Sequence, residues 1–143
     1  MILIDANLLL YAYDSSSPRH DAARRWFEGV MSMEPDVRFG LVTLLAFLRL
    51  GTDPRVLASP FGPAEAIAVV ESWLARPNAS VAIPSELHWS GLANLAQASK
   101  ARGALMMDAH LAALTIEHGA TLATTDRDFT RFPGLRFEDP LAG

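Results

Sequence analysis

Three aspartates, Asp5, Asp108 and Asp126, stand where an α/β chain would bring them together. Asp5 closes the apolar run Met1-Ile2-Leu3-Ile4, Asp126 follows Thr121-Leu122-Ala123-Thr124, and Asp108 opens the helix-like stretch Asp108-Ala109-His110-Leu111-Ala112-Ala113-Leu114. If the first two runs are adjacent parallel strands, both acids project from the carboxyl edge of the sheet, where open α/β folds place their sites. Crowded carboxylates repel one another unless they take up protons or share a cation. A hard cation, Mg²⁺ or Mn²⁺ in its place, suits oxygen ligands and hydrolytic chemistry. Each acid also has a plainer reading: Asp5 as a strand-end helix cap, Asp108 as a first-turn acid favoured by the helix dipole, Asp126 and Asp128 as partners in an Asx-turn. The combination is more informative than its members.

The elements that must position these acids follow from the apolar pattern. Strand Met1–Ile4 leads into a short helix through Tyr11, capped by Asn7. Ser17 caps a second helix with Pro18 at its first position, and Ala22, Ala23, Trp26, Phe27, Val30 and Met31 form its apolar face. Val37–Leu41 reads as a strand, followed by a helix with Leu44, Leu45 and Leu48 on one face, ending near Gly51. After a loop-rich stretch, Pro63 starts a helix with Ala66, Ile67, Val70 and Leu74 inward. Val81–Ile83 is a third strand, and Ser85 caps a helix that buries Trp89, Leu92, Leu95 and Ala96 and closes at Gly103. The Asp108 helix ends at His118-Gly119, a glycine C-cap. Thr121–Thr124 is a fourth strand and Leu135–Phe137 an edge strand. Strands separated by helices imply parallel crossovers and a three-layer α/β/α sandwich around a mostly parallel sheet of four to five strands.

Bulk properties narrow the class. The 143 residues fit one domain, 1–143, with 50% hydrophobic and 20% charged residues, a globular balance. Cysteine is absent, which excludes disulfides and thiolate metal sites. No signal-like or membrane-spanning run is visible, so a cytoplasmic soluble protein with no membrane partner is expected. A net charge of −4 argues against coating nucleic acid by charge alone, while leaving room for a local basic rim.

Four motifs in order, Ile4-Asp5-Ala6-Asn7-Leu8-Leu9-Leu10-Tyr11-Ala12, Phe47-Leu48-Arg49-Leu50 with Thr52-Asp53-Pro54-Arg55, Asp108 to Leu114, and Thr125-Asp126-Arg127-Asp128-Phe129, run from the first residues to Pro140-Leu141. Together they resemble the PIN-domain ribonucleases, and in particular the VapC-type toxins of toxin–antitoxin pairs. The resemblance implies a Mg²⁺-dependent endoribonuclease, with Mn²⁺ as substitute, in which Asp5, Asp108 and Asp126 are catalytic. Asp5 and Asp108 are then the direct metal ligands, Asp126 holds or deprotonates water, and Asp128 is a further candidate. Asn7 and Thr125 would support the carboxylates by hydrogen bonds. Arg49 and Arg55 could hold RNA phosphate, with a solvated charge or helix C-cap as the plainer reading. The implied partners are RNA, a VapB-like antitoxin and a second copy in a homodimer. The antitoxin groove is expected among the helices at Ser17–Met33, Leu44–Leu50 and Pro63–Arg76.

One departure stands out. The family pattern has a glutamate in the middle helix, and neither Ala46 nor Phe47 offers a carboxylate, so a second metal would lack a ligand. This keeps open a weak or inactive PIN-like module that binds RNA or a protein partner. Other readings fail on single residues. A haloacid-dehalogenase-like phosphatase needs an acid where Asn7 stands, and a response-regulator receiver needs a lysine near the last strand, whereas the one lysine is Lys100. Neither glycine-rich nucleotide motif occurs. His110 faces away from Asp108 and is read as a substrate or subunit contact or a hydrogen-bonded structural group. His118 suits a helix C-terminus as a cation. Trp26, Trp73 and Trp89 are read as core.

Overall fold

The computed structural model describes residues 1–142. Strands β1 (Ile2–Ile4), β2 (Val37–Gly40), β3 (Ala79–Ala82), β4 (Thr121–Ala123) and β5 (Phe137–Glu138) form one sheet in the order β3-β2-β1-β4-β5. Every pairing is parallel. The helices are α1 (Ala6–Tyr13), α2 (His20–Met33), α3 (Leu41–Gly51), α4 (Pro63–Leu74), α5 (His88–Ser99) and α6 (Ala104–Glu117), with a 3₁₀ helix at Arg127–Arg131.

Side-chain alternation along the strands separates two cores. Ile2 and Ile4 of β1 enter one core with Val37, Phe39, Phe27, Phe47, Val70 and Trp73, from β2 and helices α2, α3 and α4. Leu3, between them, enters the other with Leu95, Leu111, Leu114, Leu122 and Phe129. This gives the expected α/β/α layering. The first core is aromatic: Phe39 stacks on Trp73 at 5.5 Å, Phe47 meets Trp73 edge-on at 4.8 Å, and the indole N–H of Trp73 donates to the Tyr13 hydroxyl at 2.9 Å. The second core is tighter, because α6 is built on alanines. A side chain at Gly40, where β2 ends, would lie 3.1 Å from Leu114 of α6.

Several expected boundaries move. Asp5, and not Asn7, caps α1, accepting from the Ala6 N–H. Helix α2 begins at His20; Ser17 and Pro18 belong to a preceding turn, in which Ser17 Oγ accepts from the Arg19 N–H. Helix α5 closes at Ser99 with Lys100 as its cap, and Gly103, at φ 59°, instead precedes α6. The third strand starts two residues and ends one residue earlier than expected, and the edge strand starts two residues and ends one residue later. Ile67, expected inward, is half-exposed, and Trp73 takes the buried place on α4. Gly119 sits at φ 66° as the C-cap residue the sequence suggested.

Trp89 is the largest correction: it is 78% exposed, near exposed Ile83 and Leu87 in sequence. The helical period shows that α5 has an apolar face, but not which part of it the sheet covers. Among the described residues no helix is long and apolar enough to cross a membrane.

Candidate active site

The pairing of β1 with β4 sets Ile4 opposite Ala123, so both chains leave the sheet side by side and deliver Asp5 and Asp126 to one edge. The Asp5 N–H still makes the last ladder bond, to the Ala123 carbonyl at 2.9 Å. Its carboxylate is fixed on both oxygens, one accepting from the Ala6 N–H at 2.8 Å and the other from the Thr124 hydroxyl at 2.8 Å. Thr124 Oγ1 in turn accepts from the Asp126 N–H at 3.0 Å. One buried hydroxyl therefore ties the two strand ends together. Asp126 Oδ1 accepts from the Asp128 N–H at 2.9 Å, the turn that starts the 3₁₀ helix.

Asp108 reaches the same place from α6. It lies in the second turn of that helix and does not open it, since the helix begins at Ala104. One carboxylate oxygen each of Asp108, Asp126 and Asp128 lies within 4.8 Å of the others. Burial first, and then the charges of Asp126, Asp5 and Asp128, push the Asp108 carboxyl up to about 6. Asp5 is also raised, by burial above all; its two hydrogen bonds oppose that shift and the charge of Asp126 adds to it. The four acids thus share one field. The donor set is all oxygen, close enough to share one small divalent cation, and its mutual repulsion is what such a cation relieves. The residues present fit the implied group.

The expected ligand pair was Asp5 and Asp108, whereas the close three-acid group joins Asp108 to Asp126 and Asp128. Thr124, which the sequence reading passed over in favour of Thr125, supplies the supporting hydroxyl. The tandem Thr124-Thr125 at a strand end was the available signal, and only the facing carboxylate decides between them. Asn7 is exposed on α1, and neither it nor Thr125 donates a side-chain hydrogen bond to the acids among the described residues. Arg49 is exposed in the last turn of α3, and exposed Arg55 pairs with Asp53 at 3.0 Å. Phe47 is fully buried and Ala46 only partly so.

The histidines lie outside this site. His88 joins Glu117 at 2.8 Å through Nδ1 and His110 at 2.8 Å through Nε2, while the Ser85 hydroxyl donates to Glu117 at 2.6 Å. His110 is thereby the hydrogen-bonded structural group among its three readings, linking α6 to α5. His118 Nδ1 lies 2.9 Å from the Arg38 guanidinium, which can only donate, and Nε2 lies 2.9 Å from the Ile83 carbonyl, which can only accept.

This chain matches the PIN domain model over residues 2–135. It is 40% identical over 142 residues to Ribonuclease VapC37 of Mycobacterium tuberculosis, covering 99% of each chain. In fold it is similar to VapBC2 from Rickettsia felis, solved with a DNA fragment from its promoter (TM-score 0.69, 19% identity, 96% and 98% of the two chains). It is also similar to VapBC-1 from nontypeable Haemophilus influenzae (TM-score 0.68, 21% identity, 99% and 100%). The chain belongs to the PIN-domain family, in its VapC group.

Proposed function

We propose that this protein is a divalent-cation-dependent endoribonuclease, the toxin of a cytoplasmic toxin–antitoxin pair. The observation that carries the reading is the Asp108–Asp126–Asp128 group with Asp5 fixed beside it, in a chain 40% identical to a VapC ribonuclease over nearly its whole length. Asp108, Asp126 and Asp128 would hold Mg²⁺ or Mn²⁺, with Asp5 completing the negative field. Such an ion, when bound, supplies Lewis-acid stabilisation of phosphate oxygens and an activated water. The protein's own part is positioning. Thr124 and the Ala6 N–H hold Asp5 in one rotamer, and the same hydroxyl fixes the Asp126 backbone. Asp126 gives one oxygen to the Asp128 N–H, and its other oxygen, turned toward the ion the three acids would share, would orient a water beside it. Arg49 is a candidate phosphate contact at the end of α3.

The partners follow from two surfaces. A cavity of about 330 Å³ between α1, α2 and Phe61 and one of about 260 Å³ between α2 and the end of α4 share Tyr13, Phe27 and Glu28. This crevice, lined by aromatics and edged by Arg24 and Arg76, suits an amphipathic antitoxin segment. Leu41 and Ile83 leave the ends of adjacent strands, since Gly40 pairs with Ala82. With Leu45, Leu87 and Trp89 they make an exposed apolar group suited to a homodimer.

Purified protein incubated with total RNA in Mg²⁺, Mn²⁺ or EDTA tests the reading. Cleavage is expected with either ion and none in EDTA. Asp5→Asn keeps the shape, because its amide oxygen can accept from the Ala6 N–H and its amide N–H can donate to Thr124 Oγ1 where the carboxylate accepted, so cleavage should fall at least about a hundredfold with circular dichroism unchanged. Cleavage that persists in EDTA or in Asp5→Asn overturns the mechanism. A second reading, a PIN-like module that binds RNA or a partner without cutting, is favoured by the buried Phe47 and small Ala46 where the family glutamate is absent. RNA binding without cleavage in either ion would select it.

A further inference from the structure

We propose that the junction of α5 and α6 is a subsite for single-stranded RNA, where Lys100 and Arg102 hold backbone phosphate and the cavity beside them receives a nucleotide. This rests on the ribonuclease reading and adds a path for its substrate. A chain of net charge −4 must meet phosphate through a local group of cations. Of its twelve basic residues, six are engaged. Arg24, Arg38 and Arg55 pair with Glu28, Asp36 and Asp53. Arg76 and Arg136 donate to the carbonyls of Met31 and Gly119, and Arg19 lies over the Tyr11 ring. Arg25, Arg49, Lys100, Arg102, Arg127 and Arg131 have no such partner among the described residues.

Lys100 and Arg102 border one cavity of about 410 Å³, whose wall continues in Gln97 and Met106. The Gln97 amide offers a donor and an acceptor to a base edge, and a thioether packs well against a flat ring. Met106 is two residues before Asp108, so the subsite and the acids lie within two turns of each other along α6, on different faces of that helix. Exposed Arg127 and Arg131 continue the free cations along the 3₁₀ helix after Asp126.

The backbone at Lys100 is an independent observation. At φ 55°, ψ 41° it is the one non-glycine residue in the left-handed region among the described residues, although the chain places Gly103, Gly119 and Gly134 at positive φ elsewhere. A helix C-cap of this kind is most relaxed as glycine. The chain's only lysine occupies it instead, strain of the sort found at ligand-binding positions.

The test measures binding of a short labelled single-stranded RNA in EDTA across a salt series, with thermal melting in parallel. Lys100→Gly should melt no lower than the unmodified protein yet bind more weakly. The salt slope should fall by about 0.7 for Lys100→Gly or Arg102→Gln, and by about twice that in the double variant. Arg102→Gln, in an exposed loop, keeps the test open should the double variant lose its fold. Arg25→Gln, on the exposed side of α2, should change the slope least. Unchanged affinity and slope in Arg102→Gln and the double variant, with the unmodified protein still cleaving, overturns the subsite and leaves the ribonuclease reading standing. An acidic peptide binding with that same slope loss, while RNA is unaffected, overturns it in favour of a protein partner. Absence of RNA binding by the unmodified protein overturns the subsite, while the ribonuclease reading stands or falls on cleavage in Mg²⁺ or Mn²⁺.

Discussion

Burial, and then the charges of Asp126, Asp5 and Asp128, push the Asp108 carboxyl up to about 6. An unfolded chain gives that proton up near the ordinary value of 3.8. Between these values the folded protein binds more protons at Asp108 than the unfolded one, so this group's contribution to stability falls as pH rises through the window. Asp5, also raised, acts in the same direction. His110, Glu117 and Asp53, all lowered, act in the opposite direction, so the Asp108 contribution is read from a variant: Asp108→Asn should gain melting temperature relative to the cation-free unmodified protein as pH rises from 4 to above 6. Adding Mg²⁺ should restore melting above pH 6 in the unmodified protein and much less in the variant. A difference between the two that does not change with pH would contradict the shared field. The missing glutamate is a second matter at this scale. Ala46→Glu places a carboxylate on a partly exposed site and should tighten Mn²⁺ binding by calorimetry. Phe47→Glu puts a charge among Tyr13, Phe61 and Trp73 and should cost more than about 4 kcal/mol in urea unfolding.

At the scale of elements, the acids depend on how α6 lies on the sheet. Its buried face mixes alanines with Leu111 and Leu114, which meet Gly40 at the end of β2, and the chain Ser85–Glu117–His88–His110 ties it to α5. His88→Ala leaves Glu117 and His110 without their partner and should cost about 1–3 kcal/mol by denaturant unfolding. If α6 shifts with it, cleavage should fall in kcat with little change in KM, since Asp108 moves relative to Asp126 while the RNA surface stays. Unchanged stability would show that α5 is held by its apolar contacts alone.

For the whole molecule, the two faces of the sheet divide the labour. The aromatic core anchors the helices that frame the α2–α4 crevice, and the alanine-rich core places α6 and its acid. Trp89 belongs to neither. As an exposed surface residue, its replacement by Ser should change the stability of a monomer by no more than about 0.5 kcal/mol. Light scattering should nevertheless show the unmodified protein as a dimer and Trp89→Ser shifted to monomer. A monomer at high concentration for the unmodified chain would remove the dimer proposal.

Local apolar periodicity was enough to read the alternation of strands and helices and the placing of Asp5 and Asp126 at strand ends, because burial repeats every two residues in a strand and every three to four in a helix. Four acidic and flanking motifs in order were enough for the family. What the sequence left open depends on contacts between distant residues. Thr124 rather than Thr125 meets Asp5 across 119 positions of chain, because the side chains alternate and only the pairing of β1 with β4 selects which hydroxyl faces the acid. Asp128 joins Asp108 because the turn after Asp126 folds back toward α6. Trp89 stays exposed, because which face of α5 is covered depends on how the helix packs and not on its own periodicity. His110 meets His88 because α5 and α6 pack side by side. The sequence by itself determined which residues are able to carry charge at the sheet edge. The tertiary structure decided which of them come within reach of one another, since that distance is set by the packing of elements far apart in the chain.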